Sequence, residues 1–176
     1  MYDRISKRVK QVCVIGFVAI LLTGCATTPA PVDPRTPEER QAAFDSAAQE
    51  LIGNYVVIEK RNEFFNGRNL KVNEVVVSRS GDALVYLLKG ERDKPLLMMA
   101  SDCMTRYPTR PNEIYCHNTF TEMASVDFSK ANTTRKVSTG GLIDIHGPMA
   151  VNQGDYLLYF MERGPGRVHY YLLKKK

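Results

Sequence analysis

Asp144 and His146 are the residues whose types and spacing come nearest to a catalytic pair. They are two residues apart on a predicted strand, so their side chains share one face and the carboxylate can orient the imidazole as a general base. Residues 25–176 contain no Gly-x-Ser-x-Gly or Ser-x-x-Lys motif that would supply a nucleophile. The other histidines, His117 and His169, are scattered, and scattered histidines are more often structural than catalytic. We therefore expect no catalytic residue and no cofactor, and keep a hydrolase as a minor alternative.

The first 24 residues have the layout of a secretory signal. Val12 to Leu22 is an apolar run, too short to span a bilayer as a stable helix, and small residues follow it before Cys25. The run is preceded by a charged, net-positive start made of Asp3, Arg4, Lys7, Arg8 and Lys10. We predict a cleaved signal peptide, with a buried helix or a retained membrane anchor as the alternatives.

The end of this segment, Leu22-Thr23-Gly24-Cys25, resembles the lipobox of bacterial lipoproteins. The resemblance implies cleavage before Cys25, which then carries a diacylglycerol thioether and an N-linked acyl chain such as palmitate. In that class, Ala26 in place of an aspartate implies sorting to the outer membrane. Because two or more acyl chains anchor a protein stably, we expect a domain that faces the periplasm and reaches the membrane through Cys25.

Cys103 and Cys116 are the two cysteines left once Cys13 departs with the signal and Cys25 is lipidated. In an oxidising compartment we expect them to form a disulfide, worth on the order of 3 kcal/mol for a closed loop of roughly 14 residues. Unpaired buried thiols are one alternative. The other is a Cu(I) site, because soft sulfur and imidazole ligands lie nearby at Met98, Met99, Met104 and His117. A disulfide removes the thiolates, so we expect no metal site.

Between the cysteines, residues 106–112 form a predicted loop stiffened by Pro108 and Pro111. A stiff loop tied by a disulfide loses little entropy on binding, and it presents Arg106, Tyr107 and Arg110. We predict that these three side chains contact a partner; the alternative is a solvated loop tip that binds nothing.

Charge and length limit the remaining possibilities. Removing the signal takes away four of the 24 Lys and Arg residues and one of the 19 Asp and Glu residues, which leaves 20 against 18 and a net charge of +2. That balance gives no indication of nucleic-acid binding. We predict a signal peptide over 1–24, a lipidated cysteine with a Pro-rich tether over 25–35 that reaches about 30 Å, and one domain over 36–176.

Thr36-Pro37-Glu38-Glu39 is a capping box, so a helix is predicted over Pro37–Ile52, with Gly53 placed to end it. Its apolar residues recur at helical spacing, and Phe44, Leu51 and Ile52 are the largest of them. This face is mostly alanine and the opposite face is acidic, which favours packing on a sheet over lying on a membrane.

After Gly53, β-branched and aromatic runs alternate with turn residues. The predicted strands are Tyr55–Lys60, Leu70–Arg79, Ala83–Lys89, Leu96–Ser101, Glu113–Thr121, Ala124–Phe128, Leu142–His146, Asp155–Arg163 and Val168–Leu173. Short connections favour antiparallel order. Two strands, around Tyr86 and Leu158, are apolar on both faces, so both faces must pack against other parts of the protein. We predict a mainly β fold: a single antiparallel barrel or sandwich domain with one N-terminal amphipathic helix packed on it.

The capped helix and antiparallel meander are similar to lipocalin-like barrels, which bind apolar ligands in their lumen. That resemblance implies the alternative function, a carrier of an apolar ligand. The primary hypothesis is a non-enzymatic envelope lipoprotein that binds a protein partner or an envelope component, because an anchor, a spacer and a stiff loop are present without catalytic motifs.

Overall fold

The described residues, which begin at Asp33, fold into a helix followed by a closed antiparallel barrel. The computed structural model describes residues 33–61, 64–65, 68–69, 71–90, 95–107, 109–119, 123–139, 147–163 and 168–176. Helix α1 spans Pro37–Leu51. The predicted capping box is present: the Glu39 amide donates to Thr36 Oγ1 over 3.2 Å, and the Thr36 amide donates to the Glu39 carboxylate over 2.8 Å. Gly53, at φ 151°, then turns the chain into the first strand, at a position where a Cβ would lie 2.6 Å from Lys175 Cε.

Twelve strands follow the helix within the described residues. They are β1 Gly53–Arg61, β2 Phe64–Phe65, β3 Arg68–Asn69, β4 Val72–Ser80, β5 Ala83–Gly90, β6 Leu96–Arg106, β7 Arg110–Thr119, β8 Met123–Lys130, β9 Arg135–Val137, β10 Met149–Val151, β11 Tyr156–Glu162 and β12 Val168–Lys175. Eight of them close into one barrel in the order β1-β12-β11-β8-β7-β6-β5-β4, with every pairing antiparallel. Of the two predicted architectures, the barrel is therefore confirmed. The predicted strand over Leu142–His146 lies outside the described residues.

The barrel interior is filled by aromatic rings. Tyr55, Tyr86, Phe128 and Phe160 are fully buried. Their rings meet mostly edge to face, with centroids 5.4 Å apart for Tyr55 and Phe128 and 6.1 Å apart for Tyr86 and each of the two phenylalanines. Such pairs add to the free energy gained by burying the rings, so these side chains fix the packing of the interior.

Helix α1 covers one end of this barrel. Phe44, Ala47, Ala48 and Leu51 are buried in the same core as the interior rings, as the amphipathic pattern predicts. The polar side of the helix is joined to the barrel by ion pairs, among them Lys130 Nζ to Glu50 Oε1 at 2.6 Å. The predicted packing of the helix on the sheet is confirmed for Phe44 and Leu51, whereas Ile52 is the half-buried C-cap and lies beyond the end of the helix.

A second, smaller core lies on the outer face of β11 and β12. The two-stranded hairpin of β9 and β10 packs there, with Met149 and Val151 against Leu157 and Leu172. This hairpin covers the outward apolar side of the strand around Leu158, and it explains why that strand is apolar on both faces. This hairpin was not among the predicted elements.

The predicted disulfide is present between Cys103 and Cys116, which stand directly opposite each other on β6 and β7. The predicted seven-residue loop over 106–112 is wrong, because β6 runs on to Arg106 and β7 begins at Arg110. Backbone pairing between the two strands continues up to Arg106 and Arg110 and shortens the connection to a tight turn. The predicted partner-binding residues therefore lie at the end of a rigid hairpin.

Candidate binding groove on the outer face of the barrel

Arg106, Tyr107 and Arg110 lie together at the tip of the β6–β7 hairpin. Tyr107 is in the turn and its side chain is exposed. Arg106 and Arg110 extend over the outer face of the barrel, where both form ion pairs with Glu113 of β7. The structure brings the three predicted residues close together, and their contacts hold the two arginines against the sheet.

Glu113 and Asp127 are the buried acids that hold these arginines. Their side chains are 4% and 3% exposed, although both lie on the outer face of the strands. Arg106 Nε lies 2.6 Å from Glu113 Oε1, and Arg106 Nη2 lies 3.0 Å from Asp127 Oδ1. Arg106 also stacks over the ring of Tyr115, 4.3 Å from its centroid. Hydrogen bonds between charged groups are strong and directional, so Arg106 is fixed in one position.

Asp127 has a further partner in Tyr159. The two residues stand opposite each other on β8 and β11, and the Tyr159 hydroxyl donates to the carboxylate. Burial raises the pKa of Asp127, while the hydroxyl of Tyr159 and the charge of Arg106 oppose that rise. Burial and the bond to Asp127 raise the pKa of Tyr159, which keeps its hydroxyl a neutral donor. Tyr159 in turn stacks on Tyr170 of β12, with ring centroids 5.6 Å apart and planes at 29°.

Some of these side chains, Arg110, Glu113, Asp127, Tyr159 and Tyr170, line a polar groove. Two cavities, of about 220 and 200 Å³, share the residues Arg110, Glu113, Ser129 and Arg135 and are therefore adjacent. We call the two together the outer groove. One wall is the hairpin segment 109–113, the other is the segment 131–135 that leads into β9, and the Tyr159 and Tyr170 rings line one end. The combined space is in the usual size range of ligand pockets.

Arg135 is the arginine of the outer groove that has no carboxylate partner among the described residues. It is the first residue of β9, and the apolar contacts of the β9–β10 hairpin hold that strand against the barrel. Its Nε atom is buried and lacks a hydrogen-bond partner within the described parts of the chain. No carboxylate among the described residues forms an ion pair with it. An arginine buried in part and left without an acceptor is costly unless a ligand supplies one.

Among the groove residues that were not predicted from the sequence as a binding site are Glu113, Asp127, Arg135 and Tyr159. The alternation of Ser125, Asp127 and Ser129 with apolar residues on β8 indicates an outward, solvated face, because it follows the period of a strand. The neighbouring hairpins bury these side chains. A pattern within one strand cannot predict that packing, because the hairpins come from other parts of the sequence.

The remaining predicted sites separate into three groups. Asp144, His146 and Cys25 lie outside the described residues. His117 is exposed, with its ring edge-on to Tyr115 at 4.2 Å, whereas His169 is buried inside the barrel and paired with Glu162. Cys103 and Cys116 are bonded to each other and offer no thiolate for copper.

The described residues contain no cluster of three or more His, Cys, Asp or Glu side chains placed to hold a metal ion. None of the helices in that part of the chain has the length and apolar character needed to cross a membrane. Comparison with known proteins adds no relative: no protein-family model, curated protein or solved structure matches this chain.

Proposed function

We propose that this protein is a non-enzymatic envelope lipoprotein that binds a protein partner or an envelope component through the outer groove. In this proposal Cys25 carries the lipid, the domain faces the periplasm from the outer membrane, and the Pro-rich segment acts as the spacer. The lipobox resemblance at Leu22 to Cys25 supports the address, and the outer groove supports the binding role.

The observation that carries the binding role is the fixed arrangement of charged side chains along the groove. Arg106 and Arg110 are held by Glu113, and Arg106 is also held by Asp127. Side chains that are already ordered lose little conformational entropy when a ligand arrives, so their contacts contribute more fully to affinity. The groove lies on the outer face of the barrel, where a macromolecule can reach it.

A carrier of an apolar ligand is the second candidate, because closed eight-stranded barrels are the architecture of lipocalin-like carriers. The carrier hypothesis predicts a lumen among Tyr86, Leu88, Tyr159 and Tyr171. Tyr86, Leu88 and Tyr171 are buried, and the centroids of the Tyr86 and Tyr171 rings lie 6.1 and 5.8 Å from that of Phe160. Tyr159 lies on the outer face beside Asp127 and does not contribute to a lumen. These contacts favour the groove over the carrier.

Site-specific photo-cross-linking in intact envelopes tests the proposal. A photoreactive residue replaces the exposed Thr133, which lines the groove, and a matched control replaces Asp82, which is exposed in the turn between β4 and β5. We expect a discrete cross-linked product from position 133 that is absent at position 82. If both positions give no product while lipid co-purifies with the protein, the groove proposal is wrong and the carrier takes its place.

A further inference from the structure

The outer groove has one positive charge more than it has negative charges. The cations that line it or pair with its acids are Arg110, Arg135 and the bordering Arg106, and its acids are Glu113 and Asp127. Lys130, at the other end, is paired with Glu50 of the helix and adds no net charge. The surplus is located on Arg135, because the other two arginines are the ones paired with the acids.

The position of Arg135 also defines where a ligand would be recognised. Arg135 and Arg110 line both cavities, so they lie where the two cavities join. Arg110 uses Nη1 for Glu113 and its side chain is 54% exposed, so the guanidinium is accessible from the groove. A planar oxyanion at the junction would pair with the guanidinium of Arg135, which has no carboxylate partner among the described residues, and with the accessible guanidinium of Arg110.

We propose that the outer groove binds an extended peptide segment through a single carboxylate that pairs with Arg135. This inference rests on the proposed binding function and names its ligand. One carboxylate neutralises the surplus charge of one, whereas a phosphate dianion would bring the groove to net negative beside two buried acids. A free ion would fill the junction only, whereas an extended peptide would fill both cavities. The stacked Tyr159 and Tyr170 rings offer a flat surface to the peptide residue next to the carboxylate.

Two matched pools of random hexapeptides test the proposal against the full chain purified in detergent. Every peptide is acetylated and amidated and lacks Asp and Glu at the random positions; one pool has Glu at the centre and the other has Gln. We expect the Glu pool to bind roughly tenfold more tightly, the ratio expected for one charged hydrogen-bonded pair. The readout is depletion of free peptide measured by mass spectrometry.

Arg135→Gln should abolish the preference for Glu. Its matched control is Lys136→Gln, which removes the same charge one residue along β9 from an exposed side chain that points away from the groove. Lys136→Gln should keep the preference. Because Arg135 has no partner among the described residues, Arg135→Gln should not lower the melting temperature, so a lost preference is not a loss of folding.

Three outcomes would overturn this inference. The pools could bind equally, the preference could survive Arg135→Gln, or inorganic phosphate could compete at the concentration that acetate requires, which would indicate a small-anion site. Photo-cross-linking from position 133 distinguishes failure of this inference from failure of the proposed binding function. A cross-linked partner together with equal pools rejects the carboxylate and keeps the binding function, whereas the absence of cross-linking rejects both.

Discussion

The guanidinium of Arg35 stacks over the ring of Tyr107, with 4.6 Å between Cζ and the ring centroid. Arg35 Nη2 also donates to Thr105 Oγ1 over 3.1 Å, and Asp33 holds the same guanidinium from the other side. The last residues of the predicted tether are therefore attached to the β6–β7 hairpin. This contact places Arg35 beside the tip of the hairpin that forms one wall of the outer groove.

Tyr107→Ala should loosen this attachment without unfolding the domain. Removing the ring removes a cation–π contact worth about 0.5–1 kcal/mol at an exposed site, so the free energy of unfolding should fall by no more than that. Hydrogen exchange at Arg35 and Thr36 should become faster. Tyr107→Phe is the control, since it keeps the ring. Unchanged exchange in Tyr107→Ala would mean that the stacking contributes nothing in solution.

Phe44→Ala tests the docking of the helix. The ring is 3% exposed and packs with the barrel core, so its removal should lower the free energy of unfolding by about 3 kcal/mol or more. Gln49→Ala, at an exposed position of the same helix, should change it by less than about 0.5 kcal/mol. Urea unfolding measures both. Equal, small effects would indicate that the helix is not part of the folded core.

The disulfide should stabilise the domain modestly. Cys103 and Cys116 already stand opposite each other in a paired hairpin, so replacing both with Ala should cost at most about 3 kcal/mol, the loop-entropy value for this separation. Urea unfolding of the double variant measures the cost. Mass spectrometry of the oxidised protein under non-reducing conditions should show the linked peptides. Free thiols in protein isolated from the envelope would contradict the pairing.

The stability of the domain should depend on pH through Asp127. Its pKa in the folded protein lies above the usual value of 3.8, chiefly because of burial. Between the two values the folded protein binds more protons than the unfolded chain, so this group's contribution to the free energy of unfolding falls as pH rises through that window. In Asp127→Asn, the free energy of unfolding should lack this part of its dependence on pH. Carbon-13 NMR titration of the carboxyl group measures the pKa directly, and a value below 3.8 would reverse the predicted sign.

Cys25→Ser tests the proposed address. The thiol is the lipid acceptor in the lipobox resemblance, so the variant should accumulate as an uncut or unlipidated precursor. Metabolic labelling with palmitate should label the native chain and not the variant. Undiminished label in the variant would reject lipidation at this residue.

Local chemistry in the sequence accounts for the parts of the fold that were predicted correctly. Thr36 and Glu39 specify the start of the helix because a capping box satisfies backbone donors within four residues of chain. The spacing of Phe44, Ala47, Ala48 and Leu51 identifies the buried face because positions i, i+3, i+4 and i+7 lie on one side of a helix. The compartment implied by the signal was enough to pair Cys103 with Cys116.

The groove was only partly predictable, because it depends on contacts between distant segments. Arg110, which lines the groove, was predicted together with the neighbouring Arg106 and Tyr107, but as part of a loop, because Pro108 and Pro111 are poor strand residues. Pro111 is nevertheless part of β7. The short run around Lys136 has too few residues to show a period, so β9 and the groove position of Arg135 could not be inferred.

Closure of the barrel joins the first and last strands. Tyr55 of β1 pairs with Lys175 of β12, and the Lys176 amide donates to the carbonyl of Asn54. The ring cannot close until the segment 168–176 is available, so the final step of folding brings together residues far apart in the chain, a slow kind of contact. A chain that lacked this segment would leave β1 and β11 with unpaired backbone edges. Such edges recruit strands from other molecules, so loss of residues 168–176 would make the domain prone to aggregation.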